Sequence, residues 1–435
     1  MSRSRLPIDG KRVCVVGAAR SGLAAARVLA ALGAVPFMTD QAESATAELE
    51  ASGFEFELGG HSAASLRGVE LVVVSPGVPW KAPFIRSARE RGIPVIGEIE
   101  LAYRLTDATF IAITGSNGKS TTTALTAHLL DALSFDARAC GNIGLPVCDL
   151  AIDAPSSRIL VAEVSSFQLE SVMGFRPRVA AVLNLTPDHL ERHGGFEGYV
   201  EAKTAIFRRA GPGDHVILSA GDPRTRALSR RVPPGVRIRF FGAEFPALPC
   251  IDALELPGGH NRANALAALA IVRAIAPDAS NDALADALAS FRSLPHRLER
   301  LAELGSVLYI NDSKATNVDS ACVALRSYPR GVIWIAGGRD KGADLTPLTQ
   351  AAKGRVRQAL LIGEASARMA SALAEEVAVE EVGTLDRALA RAREMAHPGD
   401  VVLLSPACSS YDQFSDFERR GDAMRSLVTA FGSAS

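Results

Sequence analysis

The run from Phe110 to Thr123, FIAITGSNGKSTTT, sets a lysine and a row of hydroxyls directly behind a glycine turn. Its apolar and β-branched residues predict a strand, Gly115 to Gly118 a tight turn through Asn117, and Lys119 to Thr123 the opening of a helix that reaches Leu133. Strand, glycine turn and helix N-terminus make an anion site. Backbone N–H groups without intrahelical partners and the positive end of the helix dipole both favour phosphate there. Lys119 adds a mobile charge for β- and γ-phosphates, and the hydroxyl of Ser120 or Thr121 can ligate Mg²⁺. The first glycine comes late, because Ile113 stands where the common phosphate loop opens, so the loop is a shortened form.

Other chemistry-bearing residues sit at predicted strand ends. Leu160 to Val164 reads as a strand carrying Glu163, and a carboxylate beside a phosphate loop suits Mg²⁺. Ala180 to Leu183 runs into NLTPDHLERH, which brings Asp188 and His189 to the same edge. Zinc is disfavoured, since His189 and His193 have no obvious third ligand nearby. Lys203, in the helical stretch Phe196 to Arg208, reads by pattern alone as a solvated helix lysine. In GGHNRAN, Asn261 and Asn264 are spaced to share one face at a helix start, where amides could hold a base or ribose, although capping alone would explain Asn261. LPHRL, residues 294–298, reads as a linker that brings Arg297 within reach of phosphates.

The elements that must position these groups are alternating strands and helices. Near the N-terminus, Lys11 to Val16 and Pro36 to Asp40 are strands flanking the turn Gly17 to Gly22 and an alanine-rich helix, Leu23 to Leu32. This imitates a dinucleotide fingerprint, but its middle glycine is Ala19, which argues against NAD. Asp40 could bind a ribose or a base edge. Leu71 to Val74 followed by Ser75-Pro-Gly-Val adds a second turn suited to a diphosphate ligand. Beyond residue 297, strands at Val307–Ile310, Val332–Ala336, Leu360–Ile362 and Val401–Leu404 end in polar clusters. Lys341, Thr316, Ser410, Tyr411 and Phe417 there suggest a small anionic substrate, whereas Glu375 to Glu381 reads as acidic surface.

The 435 residues, 48% hydrophobic and 22% charged, fit a soluble globular protein of several domains. A net charge of −1 gives no global attraction to nucleic acid or anionic lipid. No stretch approaches the roughly 18 apolar residues of a membrane span, so a cytoplasmic protein is expected. Six scattered cysteines form no Cys-x-x-Cys pair and are expected to be reduced and packed.

Taken in order and spacing, GSNGKST, EVSSFQLE, NLTPDHLERH, GGHNRANALAA, LPHRLE, NDSKATN, GGRDKGADL and SPACSSYDQF resemble the Mur ligases of peptidoglycan synthesis, over essentially the whole chain. The resemblance explains the shortened loop, because the family uses a TGxNGKxT form. It implies three α/β domains: a Rossmann-like domain at 1–103, a central P-loop ATPase domain with a mostly parallel sheet at 104–296, and a dinucleotide-fold-like domain at 297–435. It implies the member that adds D-glutamate to UDP-N-acetylmuramoyl-L-alanine, since the DNPR string of the diaminopimelate or lysine ligase is absent.

By the same resemblance, ATP would be held by Gly115, Asn117, Gly118, Lys119, Ser120, Thr121, Asn261, Asn264, Arg297 and Asp312. Two Mg²⁺ ions are implied, one on Glu163 and Ser120, the other on His189 and a carbamylated Lys203. Lys119, His189 and Lys203 would thus be catalytic. The uridine diphosphate would lie on Gly17, Arg20, Ser21, Gly22, Asp40, Ser75 and Gly77, with Asn142, Ser165 and His189 reaching from the central domain. D-Glutamate would meet Lys314, Thr316, Lys341, Ser410, Tyr411 and Phe417. A monomer is expected. Another amide ligase of this architecture, including one acting on folate, and a nucleotide switch remain alternatives, although no Asn-Lys-x-Asp base-reading motif is present.

Overall fold

The computed structural model describes residues 6–43, 46–242, 251, 259–292, 294–340 and 342–433. Lys341 and Gly258 therefore lie outside the described residues. Three sheets organise the chain, each the centre of one α/β domain. The first two belong to one compact unit and the third to a second.

The first sheet is built from Arg12–Val16 (β1), Val35–Thr39 (β2), Glu55–Glu57 (β3), Leu71–Val74 (β4) and Val95–Gly97 (β5), in the order β3-β2-β1-β4-β5 and parallel throughout. Every residue of β4, LVVV, is buried, as expected of a parallel strand covered on both faces. The helix after β1 begins at Arg20, not Leu23. Arg20, Ser21 and Gly22 are its first turn, because a Cβ at position 22 would lie 1.8 Å from the Gly17 carbonyl oxygen and glycine lets the helix start against the strand end.

The second sheet contains Thr109–Thr114 (β6), Ala137–Gly141 (β7), Ile159–Glu163 (β8), Val179–Val182 (β9), His215–Ser219 (β10) and Arg237–Phe241 (β11). Its order is β11-β10-β9-β6-β8-β7, again all parallel. Successive strands leave β6 in opposite directions, so the loop after β6 stands at the reversal point where such sheets bind ligands. One hydrophobic cluster runs through both sheets of this unit, joining Val13, Leu29 and Ile96 to Phe110, Phe175 and Tyr199.

The third sheet contains Glu299–Leu304 (β12), Val307–Asn311 (β13), Val332–Gly337 (β14), Val356–Ile362 (β15), Val379–Gly383 (β16) and Val401–Ala407 (β17), in the order β12-β13-β17-β14-β15-β16. Only β12 runs antiparallel. The acidic stretch expected as plain surface runs into β16, an edge strand paired to β15 alone; Glu380 and Glu381 are charges that blunt such an edge. The five described cysteines are free and buried. Among the described residues no helix is long and apolar enough to cross a membrane.

Candidate active site

β6 delivers Gly115 to Gly118 to the N-terminus of the helix Lys119–Ala132. Gly118 caps that helix with φ +81°, and a Cβ there would sit 2.3 Å from Asn264 Oδ1, so both conformation and space require glycine. The Asn184 side chain pins the loop: its Oδ1 accepts the Asn117 N–H at 2.8 Å and its Nδ2 donates to the Asn117 carbonyl at 3.0 Å. Lys119 Nζ folds over the loop onto the carbonyls of Gly115 (2.9 Å) and Ser116 (2.8 Å). Ser120 is fully buried and Thr121 half-buried at the helix start. Asn261 and Asn264 are both buried on the helix Gly259–Ile275.

Ile113 pairs with Glu163 across β6 and β8, which puts the carboxylate at the end of the neighbouring strand. Glu163 is buried, and its Oε1 accepts from Asn142 Nδ2 at 2.8 Å. Lys203 approaches from the helix Phe196–Thr204 and is only 2% exposed. Its Nζ donates to Gly115 O at 2.8 Å and Thr114 Oγ1 at 3.3 Å, and lies 4.7 Å over the Tyr199 ring. Burial holds its pKa well below the usual lysine value, with Lys119 pushing the same way and Asp188 and Glu163 opposing. Lys203 is thus a buried amine whose charged form is disfavoured, not the solvated side chain its helical spacing suggests.

His189 has a left-handed backbone, φ +50°, and a half-exposed ring 3.5 Å from Asp188 and 4.8 Å from the Phe167 ring. His193 is turned the other way: Glu170 holds its Nδ1 at 3.1 Å and Ser166 Oγ its Nε2 at 3.0 Å. Among the described residues no group of three or more His, Cys, Asp or Glu is placed to hold a metal. An oxygen-seeking Mg²⁺ fits the donor chemistry of Glu163 and the Ser120 hydroxyl. His189 with Lys203 as a plain amine does not fit it; a carbamate on Lys203 would.

The first sheet carries a cleft of about 470 Å³, walled by the turns after β1 and β4 and by Asn142 and Gln168 of the central domain. Gly17, Arg20, Ser21, Asp40, Ser75 and Gly77 all line it. Gly22 does not line it; it packs against the Gly17 carbonyl, in the turn after β1, and Ser75 Oγ. Asp40 is partly committed to that turn, since Oδ2 accepts the Ala18 N–H at 2.6 Å and Oδ1 the Ala42 N–H at 2.9 Å. Ser165 caps the helix Ser166–Leu169 in a reciprocal box with Gln168. The cleft therefore receives Gln168 from this segment, a residue the sequence did not single out, together with His61 and Gln41.

In the second unit, Asp312 is buried, accepting Ser405 Oγ at 2.9 Å and the Leu298 N–H at 3.2 Å. Burial nonetheless raises its pKa from 3.8 to about 7, outweighing those bonds and the Arg297 charge. Lys314 Nζ lies 5.0 Å over the Phe417 ring. Thr316 is half-buried and Ser410 buried, whereas Tyr411 is 64% exposed. Arg420, which no sequence pattern indicated, ties these segments together: Nε donates to Ser313 Oγ (2.9 Å), and Nη2 to the carbonyls of Ser313 (2.9 Å) and Cys408 (3.2 Å).

A shortened phosphate loop at a sheet reversal, a buried carboxylate and amine beside it, and a cleft whose wall residue Asn142 grips that carboxylate are the features of an ATP-dependent amide-bond-forming ligase. The comparisons with known proteins agree. The Mur ligase middle domain matches residues 113–248, the Mur ligase glutamate ligase domain residues 296–408, and the Mur ligase MurD-like N-terminal domain residues 11–97. The chain belongs to the Mur ligase family. It is 42% identical to the UDP-N-acetylmuramoylalanine–D-glutamate ligase of Salinibacter ruber over 96% of this chain and 97% of that one. To the ligase of the same name from Anaeromyxobacter dehalogenans it is 43% identical, over 97% and 98%. Its fold is similar to that of the UDP-N-acetylmuramate-alanine ligase MurC of Thermotoga maritima, with a TM-score of 0.59 at 19% identity over 98% of this chain and all of that one.

Proposed function

We propose that this protein joins the amino group of D-glutamate to the terminal carboxylate of UDP-N-acetylmuramoyl-L-alanine, with ATP converted to ADP and phosphate, as a cytoplasmic monomer in peptidoglycan precursor synthesis. Near full-length similarity to several relatives named for that reaction supports the substrate pair. The observation that carries the reading is Asn142, which lines the diphosphate cleft and also grips Glu163 beside the phosphate loop. One residue thus adjoins both the nucleotide-sugar cleft and the place where phosphoryl transfer would occur.

In this reading the substrate carboxylate attacks the γ-phosphorus and ADP leaves, giving an acyl phosphate. The amine of D-glutamate then attacks the acyl carbon, and the tetrahedral intermediate expels phosphate. Bringing two anions together requires cations and aimed dipoles. Lys119 and the N–H groups of the phosphate loop provide them. Glu163 and Ser120 would hold one Mg²⁺, and His189 with a carbamylated Lys203 the other; the ions would neutralise charge on the transferring phosphoryl group. Carbamylation needs a neutral amine, which attacks CO₂ and loses a proton to leave an anionic carbamate. The depressed pKa of Lys203 supports this step. Asn261, Asn264, Arg297 and Asp312 would contact ATP, and Lys314, Thr316, Lys341, Ser410, Tyr411 and Phe417 D-glutamate. The domains serving these ligands would be 1–103, 104–296 and 297–435.

The test is phosphate release from ATP with UDP-N-acetylmuramoyl-L-alanine and each of D-glutamate, L-glutamate, L-alanine and diaminopimelate. Release with D-glutamate alone is expected. Release with another amino acid only would keep the ligase chemistry and refute the substrate.

A further inference from the structure

Arg192 sits in the short helix Leu190–His193 of the central domain, yet its guanidinium meets the turn after β4 of the N-terminal domain. Nη2 donates to the carbonyl of Val78 (3.1 Å), with the Pro76 carbonyl 3.5 Å away sharing that donor, and Nη1 donates to that of Gly77 (3.4 Å). The same fork holds Glu170 through Nη2 at 2.9 Å and Nε at 3.3 Å. Glu170 in turn holds His193, and the guanidinium packs 4.6 Å from the Phe167 ring, whose neighbour is His189. Only an arginine can do all of this at once, because a planar fork reaches several acceptors in fixed directions whereas an ammonium is a single point.

From these contacts we infer that Arg192 is a positioning residue that sets the diphosphate-binding turn and links it to the His189 segment. A trans peptide directs its C=O and N–H to opposite sides. With the Pro76 carbonyl turned to Arg192, the Gly77 N–H faces away from the guanidinium, and among the described residues it has no protein partner. Gly77 lines the cleft, so in this inference Arg192 fixes at the cleft wall a backbone N–H that a bound anion would take up. The ligand class is a nucleoside diphosphate, and that identity rests on the function proposed above.

The test compares Arg192→Lys and Arg192→Ala with the unaltered chain by UDP calorimetry and by phosphate release. Arg192→Lys keeps the charge beside Glu170 and loses the fork. It should weaken UDP binding, and raise KM for the UDP-sugar substrate, about tenfold, the effect of losing one hydrogen bond to a charged group. KM for ATP should stay within about twofold, because Arg192 touches no phosphate-loop residue. Millimolar guanidinium, and not ammonium, should restore Arg192→Ala. Equal losses for UDP and ATP, or no response to guanidinium, would overturn the inference and leave Arg192 a general structural residue. If the unaltered chain binds UDP in an Arg192-dependent way but releases no phosphate, the proposed reaction fails and the positioning role stands. No UDP binding at all sinks both.

Discussion

Lys203 and Asp312 are buried ionisable residues whose environments push them toward neutrality. For Lys203 the consequence is chemical. Its amine, whose charged form burial disfavours, lies 2.8 Å from the first carbonyl of the phosphate loop and is where CO₂ would add in the proposed reading. With ¹³C-labelled bicarbonate, the protein should show a carbamate resonance that Lys203→Ala lacks, and the variant should lose at least about a hundredfold in phosphate release, the scale of removing a charge-stabilising group. A carbamate signal unchanged in Lys203→Ala would place the modification elsewhere. For Asp312 the consequence is energetic. Its folded pKa, about 7, lies above the usual 3.8, so between those values the folded state binds more protons than the unfolded state. Stability therefore falls as pH rises through that window, by an amount on the order of 4 kcal/mol. Urea unfolding of Asp312→Asn should be flatter over the same range. A variant with the same pH slope as the parent would show that Asp312 ionises normally.

At the scale of elements, the phosphate loop was legible because all its requirements are local. An apolar strand, a glycine with positive φ and a helix start fall within one short run, and each has a residue signature. Gly118→Ala tests that reading: the Cβ would collide with Asn264 and the φ of +81° would be strained, so ADP should bind at least about tenfold more weakly by calorimetry. Unchanged affinity would mean that nucleotide binds elsewhere. The N-terminal turns were legible for the same reason, although the helix starts at Arg20, three residues earlier than its alanine-rich run suggests. What escaped were contacts without local signatures. Arg192 acts on carbonyls more than a hundred positions earlier, and Arg420 likewise holds Ser313 from far along the chain. An arginine bound to backbone oxygens leaves no pattern in sequence, since any residue supplies the acceptor. β16 escaped because a charged edge strand lacks both the apolar run of a buried strand and a clear alternation. Lys203 was the opposite case: helical spacing suggested solvent, and only the family resemblance pointed inward.

For the whole molecule, the two compact units differ in what they hold. The proposed diphosphate cleft lies entirely within the first, whose own core joins the first two sheets, while the third sheet has separate cores on its two faces. A ligand that binds only the folded form of a unit stabilises it by mass action, about 2.7 kcal/mol at a hundred times its Kd. UDP alone should therefore slow hydrogen exchange in peptides covering Leu71–Val74 and Thr109–Thr114, by up to about a hundredfold where exchange requires the unit to open. Peptides covering Val332–Gly337 and Val401–Ala407 should be unaffected. This contrast follows because protection spreads as far as the cooperative unit that must unfold and no farther. Equal protection in both sets would mean that the chain opens as one body, and UDP would then be sensed by the third sheet before any other ligand arrives. Protection confined to the first group would mean that UDP secures only the part of the chain that holds it, leaving the third sheet free to respond to its own ligands.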